Sequence, residues 1–168
     1  LQQQMAASTA TWQVLGQQVL MGRMNIPAPI LVETIQPGAG VTVSQYAAIV
    51  AKAQTAPATL TAAEKAILAQ PSIPYNLDAW DGYQAARETV LGTARSLGKN
   101  LVVLSGDTHN AWANELADMG GNAVGVEFAT SSVSSPGFEE YLPKENPAML
   151  AGALQQLIAP LKYCDTSR

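Results

Sequence analysis

The stretch Leu101-Val-Val-Leu-Ser-Gly-Asp-Thr-His-Asn110 begins as an apolar run of strand length and ends as a polar turn. Such a continuous apolar run is typical of a strand that is buried on both faces of a parallel sheet. The residues before it predict an amphipathic helix, which Asp81-Gly-Tyr-Gln84 would cap and Gly98 would end. Helix, short turn and apolar strand form half of a βαβ unit, so the sequence predicts an α/β fold.

Two side chains follow this strand at the edge where open α/β sheets bind ligands. Asp107 and His109 are two residues apart, so in extended backbone both point to the same side. Gly106 would let the chain turn sharply where a Cβ would obstruct. A carboxylate and an imidazole that converge on one point can hold a divalent or trivalent cation. The sequence therefore predicts that Asp107 and His109 are metal ligands.

A structural alternative stays open for the same residues. Asp107 would hydrogen-bond to turn amides, while His109, the only histidine in the chain, would pack as a half-buried polar group. Ser105, Asp107 and His109 also have the residue types of a hydrolase triad, but they are too close in sequence to line up as one. The sequence contains neither a Gly-x-Ser-x-Gly elbow nor a phosphate-binding glycine loop.

Composition limits the classes of protein and partner. The 168 residues are enough for one compact domain, and 48 % hydrophobic with 13 % charged residues indicates a globular chain. A net charge of −4 without a basic block provides no signal for nucleic-acid binding. No apolar run reaches the length of a transmembrane segment. The single cysteine, Cys164, excludes an internal disulfide, and we expect its thiol to be inert.

Local patterns predict the remaining elements. We expect a helix over residues 1–7, a strand over 11–21, a loop over 22–40, a hairpin over 111–116 and 123–130, and a last helix after Asn146-Pro147 that buries Leu150, Leu154, Leu157, Ile158 and Leu161. Capping boxes at Thr42 and Thr61 predict two short helices. Because these helices are sparsely hydrophobic, we expect residues 41–75 to form a surface excursion, either a helical lid or an insertion.

Four stretches together resemble the PhoD-type alkaline phosphatases, a branch of the calcineurin-like metallophosphatase superfamily. They occur in the family's order and are 12–19 (WQVLGQQV), 77–83 (LDAWDGY), 102–110 (VVLSGDTHN) and 126–138 (VEFATSSVSSPGF). The match is to the C-terminal half of such an enzyme. The resemblance implies that residues 1–168 are part of a catalytic domain, the C-terminal portion of a layered β-sandwich flanked by helices, with a two-metal site in loops at strand ends.

The same resemblance implies roles for particular residues. The superfamily's usual late motif is Gly-His-x-His, and the PhoD-type branch has Gly-Asp-x-His, which this chain keeps at residues 106–109. By analogy His109 would bind an iron-like metal and Asp107 the neighbouring cation. A carboxylate in place of a nitrogen ligand suits Ca²⁺, so the implied pair is Fe³⁺ and Ca²⁺. Asn110 would orient His109, contact phosphate or act only as a local hydrogen-bonding residue. Apart from the resemblance, the position of Asp81 in the turn at 80–83 indicates that it would either cap a helix or line the site.

The functional expectation follows from this resemblance. The full enzyme would be exported and would hydrolyse phosphate monoesters and diesters, with this chain supplying the late metal-binding loop. The other ligands would come from the missing N-terminal half, so we expect the fragment alone to be inactive and to bind metal weakly. The alternatives are a non-catalytic α/β interaction or structural module without metal, and a metallohydrolase that acts on another ester.

Overall fold

The computed structural model describes residues 1–142 and 145–166. The helices are α1 Gln2–Ala7, α2 Ala28–Ile35, α3 Val43–Thr55, α4 Ala62–Leu68, α5 Gln84–Ser96, α6 Phe138–Tyr141 and α7 Pro147–Leu157. The strands are β1 Trp12–Gly16, β2 Asn25–Pro27, β3 Ser72–Pro74, β4 Asn100–Ser105, β5 Ala111–Ala117, β6 Ala123–Ala129 and β7 Leu161–Asp165. No helix among the described residues is long and apolar enough to cross a membrane.

Five strands form one mixed sheet in the order β1-β4-β6-β5-β7. The pairs β1–β4 and β4–β6 are parallel, whereas β5 runs antiparallel to both β6 and β7. The short strands β2 and β3 form a separate antiparallel pair. A central sheet with helices packed against it confirms the predicted α/β class, and the predicted hairpin is β5–β6.

The helices that contribute to the core pack on one face of the sheet. On β4, Leu101 and Val103 point into the core, whereas Leu104 is 47 % exposed. The prediction that this strand is buried on both faces is therefore wrong for the described chain, because no second layer of described residues covers the other face. Large apolar side chains remain exposed on that face, namely those of Trp12, Val14, Leu104, Phe128 and Tyr163.

The predicted loop over residues 22–40 is wrong, since it contains β2 and α2. Prolines suggested a loop, but Pro27 is the N-cap of α2 and Pro29 lies in its first turn, where the absent N–H removes no helical hydrogen bond. The strand predicted over 11–21 is shorter, because the chain leaves the sheet after Gly16.

Both predicted capping boxes are present. Thr42 exchanges hydrogen bonds with Gln45 at the start of α3, and Thr61 does so with Glu64 at the start of α4. The expected surface excursion is wrong for α3, however, because two of its residues reach the core. Val43 and Tyr46 are buried in the same cluster as Leu150 of α7. The few large apolar residues in this alanine-rich helix led to a prediction of less burial than the structure has.

The last helix begins as predicted and ends earlier than predicted. The side chain of Asn146 accepts hydrogen bonds from the amides of Ala148 and Met149. Pro160 follows the helix, and a proline cannot continue the helical hydrogen-bond pattern. Leu161, expected on the helix, therefore lies in strand β7, where it is still buried.

The buried face of the sheet carries two apolar clusters. The first, which we call the α7 cluster, includes Leu20, Ile30, Trp112, Leu154 and Leu161. The second, the α5 cluster, includes Met21, Leu91, Leu101, Val103 and Leu116. Leu20 belongs to the α7 cluster and Met21 to the α5 cluster, because the chain crosses the boundary between the two clusters at these residues.

A polar seam lies on this face between the clusters and is formed by Ser105, Asn114 and Glu127. Glu127 is fully buried, and its carboxylate accepts hydrogen bonds from the Met21 and Gly22 amides, both at 2.7 Å. The Ser105 hydroxyl at 2.9 Å and the Asn114 amide at 3.0 Å complete four donors. At Gly22 a Cβ would lie 2.7 Å from Asn114 Nδ2, so only glycine permits this approach.

Substitution of Glu127 by Gln is expected to destabilise the protein by about 3 kcal/mol or more. The new side-chain NH₂ group would face the buried N–H groups that now donate to the carboxylate, and those groups would lose their acceptor. Urea denaturation of the two forms measures this change. The control is Glu115→Gln on the same sheet, whose exposed partner Lys162 lies 3.2 Å away. That control should change the free energy of unfolding by less than about 1 kcal/mol. Equal effects of the two substitutions would contradict the role of Glu127.

Cys164 is buried in the α7 cluster. Burial raises the pKa of its thiol to about 12, and the negative charge of Asp165 adds to the rise. At pH 8 the thiolate fraction is then on the order of one part in ten thousand. We expect iodoacetamide to label Cys164 only after the protein is unfolded in urea. Labelling of the folded protein at the rate of free cysteine would show that the thiol is accessible and ionised.

Candidate functional site

The turn after β4 has an unusual backbone conformation. Asp107 has φ 67° and His109 has φ 60°, and they are the only non-glycine residues with positive φ in the described chain. Left-handed backbone at residues other than glycine is sparsely populated and concentrates at functional sites. The extended geometry predicted for residues 107–109 is wrong, but this compact turn still places both residues at one cavity.

Gly106 does not have the role expected of it. Its φ is not in the left-handed region, and a Cβ there would meet nothing nearer than the Gln18 carbonyl at 3.8 Å. The sharp turn is made by Asp107 instead. Hydrogen bonds fix the strand end before it: the Gly106 amide donates to the Gln18 carbonyl, and the Thr130 amide donates to the Ser105 carbonyl, both at 3.0 Å.

The imidazole of His109 is held by one ring nitrogen. Its Nδ1 lies 2.8 Å from the carbonyl oxygen of Pro136. A carbonyl can only accept, so Nδ1 carries the proton and Nε2 of the neutral ring has the lone pair. Histidines that bind metals are commonly oriented by such a bond on the other nitrogen. Nε2 makes no hydrogen bond to a described residue, so it is the nitrogen available to a ligand.

The carboxylate of Asp107 is exposed and makes no hydrogen bond within the described part of the chain. The alternative in which Asp107 satisfies turn amides is therefore not what the structure shows. The side chain stands at the open end of the strand, beside the half-buried His109. The arrangement leaves two metal-binding donor groups, a carboxylate and an imidazole nitrogen, available on one turn.

Asn110 connects this turn to the loop before α6. Its side chain is fully buried, donates to the Thr108 carbonyl at 2.6 Å, and accepts from the Phe138 amide at 3.0 Å. These two hydrogen bonds keep residues 136–138 next to the turn, where the Pro136 carbonyl accepts from His109. Both polar atoms of this buried amide are engaged, so they are not available to a phosphate. The structure therefore favours an orienting or local hydrogen-bonding role for Asn110 over contact with phosphate.

Asp81 lies elsewhere. It is buried in a single 3₁₀ turn, Trp80–Gly82, and accepts a hydrogen bond of 2.8 Å from the Met24 amide. The predicted capping of α5 is wrong, since the N-cap is Tyr83 and has no side-chain hydrogen bond. Asp81 lines a different cavity, beside Arg23, from the one at Asp107 and His109. The structure does not bring it together with the predicted metal ligands.

A cavity of about 340 Å³ adjoins the turn. Asp107, Thr108 and His109 form one part of its wall, and apolar residues of α2, α3 and α7 and of the 138–142 segment form most of the rest. Sequence patterns missed this wall because residues 22–40 were predicted to be a loop. The proline-flanked helix start at residues 27–29 is the signal that could have found it.

The donor chemistry fits part of a metal site. Imidazole nitrogen and carboxylate oxygen are both ligands of iron, and carboxylate oxygen suits Ca²⁺. Among the described residues, however, no group of three or more His, Cys, Asp or Glu side chains is placed to hold an ion. As metal ligands, Asp107 and His109 would therefore be an incomplete set among the described residues.

Comparison with known proteins gives consistent matches. Alkaline phosphatase D of Bacillus subtilis (strain 168) is 36 % identical over 85 residues, which cover 44 % of this chain and 15 % of that protein. A solved "Structure of PhoD" has a TM-score of 0.58 at 22 % identity and covers 99 % of this chain, which shows a shared fold. The chain spans 24 % of the length of that solved chain.

A family model described as PhoD-like phosphatase matches residues 1–168. This match covers the Gly106–His109 turn, the strand that precedes it and the loop that holds His109. The resemblance inferred from the four sequence stretches is confirmed: the chain belongs to the PhoD-like phosphatase family.

Proposed function

We propose that the full protein hydrolyses phosphate monoesters and diesters and that this chain supplies its late metal-binding turn. The observation that carries the proposal is the Asp107–His109 turn, where a strained backbone presents an unpaired carboxylate and an oriented imidazole beside a cavity. Family membership and the name of the Bacillus relative support the reaction class. Export of the full protein is proposed on family resemblance alone.

Asp107 and His109 would hold two cations, with Fe³⁺ at His109 and Ca²⁺ at Asp107 proposed by resemblance. When bound, such cations would neutralise the charge of the phosphoryl oxygens and would lower the pKa of a bound water. In the hydrolysis an oxygen from water bonds to phosphorus, the bond between phosphorus and the ester oxygen breaks, and the alcohol leaves with a proton. Asp107 and His109 act here as ligands and are not the general base.

The chain's own contribution is to keep this turn in one geometry. The Pro136 carbonyl holds the proton of His109 on Nδ1, so Nε2 keeps its lone pair for a ligand. Asn110 fixes the loop that carries Pro136 through the Phe138 amide. Because these contacts are made within the chain itself, they orient the imidazole without a contribution from the ligand.

The remaining ligands are proposed to come from an upstream half of the same enzyme. Two observations support this: the relatives are several times longer than this chain, and the two ligands here form an incomplete set. The open face of the sheet is the place for that half to pack, since large apolar side chains are exposed there. The described chain alone is therefore proposed to be inactive and to bind metal weakly.

Residues 41–75 are proposed to form one side of the site. Val43, at the start of α3, lines the cavity that Asp107 and His109 also line. The same helix contacts α7 through the buried core. This support favours a lid or wall over an insertion remote from the site.

The full-length protein is expected to lose metal and phosphatase turnover in the variants His109→Ala and Asp107→Ala. Removal of a ligand should lower kcat/KM for an aryl phosphate by about 100-fold or more, since even residues that only support ligands contribute 10- to 100-fold. Elemental analysis and steady-state kinetics measure the two effects. Arg95→Gln, which removes an exposed ion pair with Asp118 away from the turn, is the control and should retain both. Metal content equal to that of the wild type in both ligand variants would favour the non-catalytic module instead.

Asn110→Ala is expected to lower metal affinity by about 10- to 100-fold, because His109 loses the loop that orients it. If Asn110 acts only through His109, saturating metal should restore kcat while KM stays near the wild-type value. The control is Asn122→Ala, which removes exposed hydrogen bonds to the Asp118 carboxylate in the β5–β6 turn. A raised KM that excess metal does not correct would mean that Asn110 contacts the substrate.

A further inference from the structure

The cavity beside the Asp107–His109 turn has the size of a small-ligand site. Its volume of about 340 Å³ lies within the usual range for such pockets, roughly 300–1,000 Å³. It is built by segments that are far apart in sequence, including α2, the residues after α6 and helix α7. A space of this size that opens beside candidate metal ligands can receive a group attached to a bound phosphate.

The wall of the cavity is mainly apolar. Ile30, Phe138 and Leu154 are all buried in the α7 cluster, and they line the cavity together with the half-buried Leu31 and Leu142. The ring of Tyr75 also lines the cavity and packs edge-on against Phe138 at 5.4 Å between centroids. Transfer of an apolar group from water to such a wall is favourable in proportion to the area buried.

Apart from Asp107 and His109, which are the candidate ligands, the wall has few polar groups, and the hydroxyls of its two threonines are engaged. Thr34 donates its hydroxyl to the Ile30 carbonyl at 3.0 Å, and the Thr108 hydroxyl donates to the Asn110 carbonyl at 3.2 Å. No Lys or Arg occurs among the described lining residues, and the one carboxylate, Asp107, would repel a second anionic group. Sugar hydroxyls or additional phosphates would therefore lose hydration without compensating partners.

We propose that this cavity binds the ester group of the substrate and selects phosphoesters whose alcohol portion is apolar, an alkyl or aryl group. The inference rests on the proposed phosphoesterase function. A phosphate held at Asp107 and His109 has its ester substituent next to the same cavity, because these two residues are part of its wall. For a diester, one of the two substituents occupies the cavity.

The test uses the full-length protein and a series of n-alkyl phosphates from methyl to hexyl. These esters have leaving groups of similar basicity, so differences in kcat/KM report how well the protein binds the alkyl group. Thr34 lies on the exposed side of α2 and lines the cavity, so Thr34→Trp fills the cavity from its rim. The matched control is Ile35→Trp on the next residue, which is 84 % exposed and is not part of the cavity wall.

In the wild type, kcat/KM is expected to rise about two- to fourfold for each added methylene until the cavity is filled. Thr34→Trp should lower the hexyl-to-methyl ratio of kcat/KM by about tenfold or more. Ile35→Trp should keep the wild-type ratio. Retention of the steep ratio in Thr34→Trp would overturn the assignment of the cavity.

The wild-type series alone also decides the question if Thr34→Trp does not fold. Equal kcat/KM for methyl and hexyl phosphate would overturn this inference and leave the phosphoesterase proposal intact. Absence of hydrolysis for every ester, with metal bound, would overturn both. The two failures are therefore distinguishable in one experiment.

Discussion

The buried carboxylate of Glu127 is the constraint on which the surrounding structure depends. A carboxylate without water is stable only if donors replace its hydration, and here four donors do so. The donors come from the segment after β1, from the end of β4 and from β5. One side chain on β6 therefore holds three other parts of the chain together between the two apolar clusters.

The candidate site inherits its geometry from this seam. Ser105, which donates to Glu127, is the last residue of β4, and the Asp107–His109 turn begins two residues later. Glu127 also holds one end of the segment 17–22 through the Gly22 amide. In the same segment, the Gln18 carbonyl accepts a hydrogen bond from the Gly106 amide. The left-handed backbone of the turn is therefore attached to a buried carboxylate that accepts four hydrogen bonds, as expected where surrounding structure maintains strain.

Much of the fold follows from patterns within short windows. The capping boxes at Thr42 and Thr61, the cap at Asn146 and the apolar β4 each depend on neighbours within a few residues, and each was predicted. The errors occurred where distant parts override local signals. The segment 28–35 forms the helix α2 despite the neighbouring prolines, because its apolar side is buried in the α7 cluster. Leu161 is buried as a strand residue and not as a helix residue.

The amino-acid sequence by itself determined the fold class and the family and pointed to Asp107 and His109 as the candidate pair, because these depend on residue type and spacing along the chain. Only the tertiary structure decided how the site is held. The Met21 amide and Glu127 are 106 residues apart, and His109 and Pro136 are 27 apart. Hydrogen bonds across such separations, and a cavity whose walls come from segments far apart in sequence, follow from packing that no local pattern encodes.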